Sequence, residues 1–151
     1  MSYAFSHIYA KFDNRVAMKV VLVDDDSVYR FVGTTLLKRL PQISASEFYE
    51  DGESAIRALQ TYSQESFPDF FFIDINMNAL DGWDVLDEIA ATQDRLGKRS
   101  KIFIVSSSPL SSDIEKAREH PAGLLGYILK PMGMDKLSQA LDFSGTEFLV
   151  L

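Results

Sequence analysis

A few positions in this chain carry side chains that could do chemistry together. Asp24 and Asp25 stand side by side, with Asp26 next; Asp74 closes an apolar run; Ser106 opens a row of three serines; Lys130 precedes a proline. Carboxylates brought close repel one another and raise each other's pKa, a conflict that a bound cation removes. Oxygen ligands favour a hard ion, and a few carboxylates completed by water suit Mg²⁺. A lysine adds a second positive charge. A serine hydroxyl and a nearby amide complete a pocket for a tetrahedral oxyanion. In such a pocket a carboxylate can attack a phosphoryl group in line while the cations neutralise its equatorial oxygens.

Each residue also has a plain structural use. Asp25 or Asp26, with Ser27, can cap a helix. Asp74 can bond turn amides. Ser106 to Ser108 can lead into a helix, and Lys130-Pro131 can end a strand. Only their joint occurrence points to chemistry, and only if the intervening elements bring them together.

Those elements alternate. "KVVLVD" (19–24) reads as a short buried strand. Residues 26–40 place Val28, Phe31, Val32, Leu36 and Leu40 at helical spacing, expected to face the core, and Pro41 follows. "ISASEFY" (43–49) is a second strand, and a helix through Ala55, Ile56, Leu59 and Tyr62 follows Asp51-Gly52. "FPDFFFID" is the third strand, and its helix carries Trp83, Leu86, Ile89 and Ala90 on an apolar stripe. "KIFIVSS" (101–107) is the fourth strand. Ser112 and Glu115 then form an expected capping box, with a helix to about residue 119. "GYILK" (126–130) is the fifth strand, before a helix marked by Met134, Leu137 and Leu141. Strands alternating with helices imply a parallel sheet covered on both faces, with right-handed crossovers. In such sheets the ligand site lies beyond the carboxyl ends of the strands. Asp24, Asp74, Ser106 and Lys130 all fall at those ends. His7 and His120 lie outside this set and are expected on the solvated surface.

Composition narrows the function classes. Apolar residues make up 46% of the 151 and charged residues 25%, the balance of a water-soluble domain. There is no cysteine for disulfides or thiolate metal sites, and the net charge of −7 works against binding a nucleic-acid backbone. Apolar runs such as Phe70–Ile73 fall far short of the roughly 20 residues that cross a bilayer. The N-terminal stretch has no signal-peptide core. A cytoplasmic setting, with no membrane and no direct nucleic-acid contact, is the expectation.

The segments "VVLVDDDSVYR", "FFFIDINMNALDGWD", "IFIVSSS" and "GYILKP" resemble the receiver domain of two-component response regulators. The resemblance covers about residues 18–143. Residues 1–17 are left as an N-terminal extension and 144–151 as a C-terminal tail, so the chain reads as a stand-alone receiver. It implies a flavodoxin-like, doubly wound (βα)5 fold with a five-stranded parallel sheet. Asp74 would be the phosphoacceptor. Asp25 would bind Mg²⁺ directly, Asp24 mainly through a metal-bound water, and the backbone carbonyl of Asn76 would be a further ligand. Ser106 and Lys130 match the hydroxyl and the lysine that engage the phosphoryl group, and the bond to Pro131 is expected cis. Tyr127 matches a switch aromatic. Asn78 stands where the family often has proline, and "EHPAGLLGY" is long for an approach to the fifth strand.

The function so implied is a signalling module rather than an enzyme. It would take a phosphoryl group from a sensor histidine kinase or a histidine phosphotransfer protein and then bind an unnamed downstream protein differently. A phosphorylation-dependent homodimer through the fourth helix, fifth strand and fifth helix is one form of that switch. The alternative is a phosphorylation-independent, receiver-like interaction module; such modules lose the acidic pair, acceptor or lysine, which this chain keeps. A metal-dependent phosphatase with an aspartate nucleophile is disfavoured, because no second acid stands two residues after Asp74.

Overall fold

The computed structural model describes residues 17–151. The expected N-terminal extension, His7 included, lies outside the described residues apart from Ala17. The elements run β1 (Met18–Val23), α1 (Ser27–Lys38), β2 (Ile43–Tyr49), α2 (Gly52–Thr61), β3 (Phe70–Ile73), α3 (Gly82–Leu96), β4 (Lys101–Ser106), α4 (Ser111–Arg118), β5 (Gly126–Leu129), α5 (Met134–Leu141) and β6 (Leu149–Val150). All strand pairs are parallel, in the order β2-β1-β3-β4-β5-β6. The order reverses between β1 and β3, which puts a crevice at their carboxyl ends.

The central strands are apolar on both faces because helices cover both. Val21, Val23, Phe71, Ile73, Ile102 and Ile104 join one cluster with residues of α2, α3 and α4. Val20, Leu22, Phe70, Phe72, Phe103 and Val105 join another with Leu37 of α1 and Leu137, Ala140 and Leu141 of α5. Alternate residues of each strand therefore enter opposite cores, as the period of two demands. Register then aligns the strand ends: Val23 pairs with Ile73, and Ser106 with Leu129.

Only the C-terminal part of the α1 stripe is core: Leu36 and Leu40 pack against it, but Val28, Phe31 and Val32 are 66%, 73% and 39% exposed. The helix instead turns Gly33 and Leu37 inward, and a glycine contact leaves no mark in a hydrophobic pattern. Nor is there a Ser112–Glu115 capping box. Leu110 is the N-cap residue of α4 and makes no side-chain cap bond, which places Ser112 inside the helix. Ser108 serves the loop instead, accepting from the Leu110 amide (3.4 Å) and donating to Asp113 (2.6 Å). His120 is not solvated: its side chain is 6% exposed, and Nε2 lies 2.9 Å from Asp87 Oδ1. The Ala122 amide donates to its Nδ1 (3.1 Å), so the long approach to β5 folds back onto α3. Trp83 packs against the core, as expected, with Lys116 Nζ 4.2 Å from its ring centre.

Among the described residues the sheet has six strands rather than five. Residues expected as a tail contribute β6, which closes the free edge of β5. Leu149 N donates to Leu125 O (2.9 Å), Leu129 N to Leu151 O (2.8 Å) and Leu151 N to Tyr127 O (3.0 Å). Gly126 permits this approach, since a Cβ there would lie 2.4 Å from the Leu149 carbonyl oxygen.

Candidate functional site

Asp26 sets the entrance to the crevice. As the N-cap of α1 it accepts from the Val28 amide (2.8 Å) and the Tyr29 amide (3.4 Å). This is the cap alternative, and it leaves Asp24 and Asp25 at the strand end. Asp24 is buried, and its Oδ1 accepts from the Asp26 amide at 2.9 Å. Asp25 is exposed. Asp74 follows β3 and is 4% exposed, with Oδ1 accepting from the Asn76 amide at 2.9 Å. One carboxylate oxygen from each of Asp24, Asp25 and Asp74 lies within 4.8 Å of the others.

Close packing holds Asp74 in place. A Cβ on Gly82, at the start of α3, would lie 2.2 Å from the Asp74 carbonyl oxygen. The loop between them carries Ala79 in the left-handed region (φ 59°), one residue after Asn78. Such a conformation persists only where its surroundings enforce it.

Lys130 enters from β5, and its bond to Pro131 is cis. Its Nζ lies 2.8 Å from Asp24 Oδ2 and 3.2 Å from Asp74 Oδ2. Burial opposes its charge, but the bonds and charges of Asp24 and Asp74 outweigh burial and raise its pKa. Asp74 is pushed up to about 6, mainly by burial and further by the charge of Asp24; the Asn76 amide and Lys130 hold it back. Two buried carboxylates thus share one ammonium, an excess of negative charge that a cation would relieve.

Ser106 ends β4 and is fully buried. Its oxygen accepts from Asn76 Nδ2 (3.0 Å) and from the Ser108 amide (3.1 Å). Both bonds arrive at the oxygen, so the hydroxyl proton is left for another acceptor. Tyr127 sits behind it on the core face of β5, fully buried, with its hydroxyl donating to Ser108 O at 2.7 Å.

The crevice therefore gathers Asp24, Asp25, Asp74, Asn76, Ser106 and Lys130, with Tyr127 one layer behind. Three contacts escaped the sequence reading. The Asn76 side chain bonds Ser106, whereas the sequence points only to its backbone carbonyl. Ser108 carries the Tyr127 contact. Tyr29 lies with its ring centre 4.1 Å from Lys130 Nζ. A polar residue two positions past Asp74, or an aromatic one turn into α1, offers only a faint signal in sequence.

Fold and site together define a doubly wound α/β protein with a cluster of three carboxylates at its topological switch point. The response regulator receiver domain family matches residues 20–142, and the chain belongs to that family. It is 30% identical over 125 residues to chemotaxis protein CheY-3 of Vibrio cholerae, covering 83% of this chain and 89% of that protein. It is 26% identical over 128 residues to transcriptional regulatory protein DegU of Brevibacillus brevis, covering 85% of this chain and 50% of the relative. The chain thus spans about half the length of the DegU relative, and 52% of the probable C4-dicarboxylate response regulator DctR of Priestia megaterium. Among solved structures, a two-component response regulator from Cytophaga hutchinsonii superposes with a TM-score of 0.73 at 26% identity, covering 83% of this chain and 96% of that one. The receiver domain of sensor histidine kinase PA1611 from Pseudomonas aeruginosa has a magnesium ion coordinated in its active-site cleft. It superposes with a TM-score of 0.65 at 26% identity, covering 83% of this chain and 94% of that one.

Proposed function

We propose that Asp74 accepts a phosphoryl group from a phosphohistidine on a sensor kinase or phosphotransfer protein, and that the resulting acyl phosphate changes what the chain binds. The convergence of Asp24, Asp25 and Lys130 on the buried Asp74 carboxylate carries this reading. A carboxylate oxygen of Asp74 forms the new P–O bond as the donor's P–N bond breaks, and the imidazole leaves with the electron pair. Asp24, Asp25, Asp74 and the Asn76 carbonyl would hold Mg²⁺, which when bound supplies positive charge to the phosphoryl oxygens. Lys130 supplies a second positive charge, and the Ser106 proton a hydrogen bond.

The exposed apolar face of α1 suits the donor. Val28, Phe31 and Val32 lie just beyond the acidic pair, and the crevice loops expose Leu80 (40%) and Leu110 (59%). A helical donor with apolar flanks around its phosphohistidine would cover these residues and bring phosphorus to Asp74.

The switch would run through Ser106, Ser108 and Tyr127. Donation from Ser106 to a phosphoryl oxygen draws its oxygen toward the crevice and strains the bond from the Ser108 amide. Ser108 O holds the Tyr127 hydroxyl, and Tyr127 O holds the Leu151 amide. The face that changes would therefore be built from α4, β5, α5 and β6, not from β5 as a bare edge. Two discrete Tyr127 positions that both sites bias are what coupling requires.

The test is intact-mass analysis after incubation with acetyl phosphate and Mg²⁺. One base-labile phosphoryl group per chain is expected, lost with chelator and in Asp74→Asn. Labelling of Asp74→Asn at the parental level would overturn the assignment.

A further inference from the structure

The geometry points to Tyr29 as a positioning residue for Lys130, an inference that rests on the reading of Asp74 as phosphoacceptor. Three groups among the described residues engage Lys130 Nζ: Asp24 Oδ2 at 2.8 Å, Asp74 Oδ2 at 3.2 Å and the Tyr29 ring, its centre at 4.1 Å. Two of them are carboxylates whose charge is redistributed when the site works. Asp24 turns to the cation and Asp74 becomes an acyl phosphate, so Lys130 must exchange both carboxylate oxygens for a phosphoryl oxygen. The ring is the neighbour that stays as it is. An ammonium over an aromatic face is attracted by the ring quadrupole, more strongly where water is excluded. The Lys130 side chain is only 7% exposed, so the contact is a desolvated one.

The ring is placed by local structure. Tyr29 sits in the first turn of α1, where its amide bonds the Asp26 cap directly after the acidic pair. Together with Val32 and Met132 it lines the small cavity beside Asp24. Tyr29 thus holds the ammonium above the acceptor while its carboxylate partners are taken up.

If Tyr29 only fills space, leucine serves as well. If the ring face matters, phenylalanine serves and leucine does not. The experiment compares the full chain with Tyr29→Phe and Tyr29→Leu, each first shown to melt cooperatively. In metal-free protein the Lys130 ε-methylene protons should be shifted upfield by the ring current in the parent and in Tyr29→Phe, and not in Tyr29→Leu. With Mg²⁺, Tyr29→Leu should bind beryllofluoride and take up phosphate from acetyl phosphate roughly fivefold to thirtyfold more weakly or slowly, with Tyr29→Phe near the parent. Parental affinity and rate in Tyr29→Leu would overturn the inference, as would a Tyr29→Phe variant that behaves like leucine. A parent that is not labelled on Asp74 refutes the underlying reading instead, and the Lys130 shifts in metal-free protein then decide for or against Tyr29.

Discussion

Replacing Asp74 with asparagine should make the metal-free protein more stable at neutral pH. Folding raises the Asp74 pKa from 3.8 to about 6, chiefly because the carboxylate is buried. A carboxyl group whose pKa is raised on folding favours the native state while protonated. That contribution is complete below pH 4 and lost as the pH rises through 6. At pH 7 the ionised group therefore costs about 3 kcal/mol, from about two units at ~1.4 kcal/mol each. Asparagine removes this cost and keeps an acceptor for the Asn76 amide, which bonds Asp74 Oδ1 at 2.9 Å. The Lys130 contact at 3.2 Å that it forfeits is already included in that net shift, and Lys130 keeps Asp24 at 2.8 Å. A gain of about 2–3 kcal/mol is expected, or roughly 5–8 °C in Tm for a domain of this size. Thermal melts in chelator from pH 4 to 8 would show the gap opening between pH 4 and 6 and staying level above. A variant no more stable than the parent at pH 7, or a gap independent of pH, would refute the reasoning. Added Mg²⁺ should narrow or reverse the gap, because only the parent keeps all three carboxylates to bind it.

Three further outcomes are expected. Asp26→Ala should lose about 1 kcal/mol of stability through its helix cap while keeping Mg²⁺ affinity, and Asp25→Asn should lose the affinity; Trp83 fluorescence titrations and melts separate the two. Phe31→Asp should leave stability within about 0.5 kcal/mol and acetyl phosphate labelling intact, but slow transfer from a phosphohistidine donor at least tenfold, measured by the decay of labelled donor. Gly126→Ala should cost about 1–3 kcal/mol and speed amide exchange at Leu149 and Leu151, because its Cβ meets the Leu149 carbonyl.

Most of the fold could be read because local pattern and tertiary need agree. β2 was expected at 43–49 and is found at Ile43–Tyr49, and Asp24, Asp74, Ser106 and Lys130 stand at strand ends where the parallel sheet gathers them. The failures have physical causes. A strand as short as Leu149–Val150 shows no periodicity, and its partner surface depends on Gly126, a residue defined by what it lacks. The α1 pattern holds for Leu36 and Leu40 but not for Val28, Phe31 and Val32, since apolar residues at helical spacing can face a partner as readily as a core. Rule-breaking of that kind is expected beside functional sites. His120 and Tyr29 were unreadable for another reason. Their partners, Asp87 and Lys130, lie far along the chain and meet them only in the folded protein.

The most direct test is transfer from a phosphohistidine donor followed by borohydride reduction, which converts an aspartyl phosphate to homoserine. Peptide mass analysis should find homoserine at position 74, dependent on Mg²⁺ and absent when Asp74 is asparagine. An unmodified Asp74 in chain that has taken up phosphate, or homoserine at another aspartate in the parent, would contradict the account.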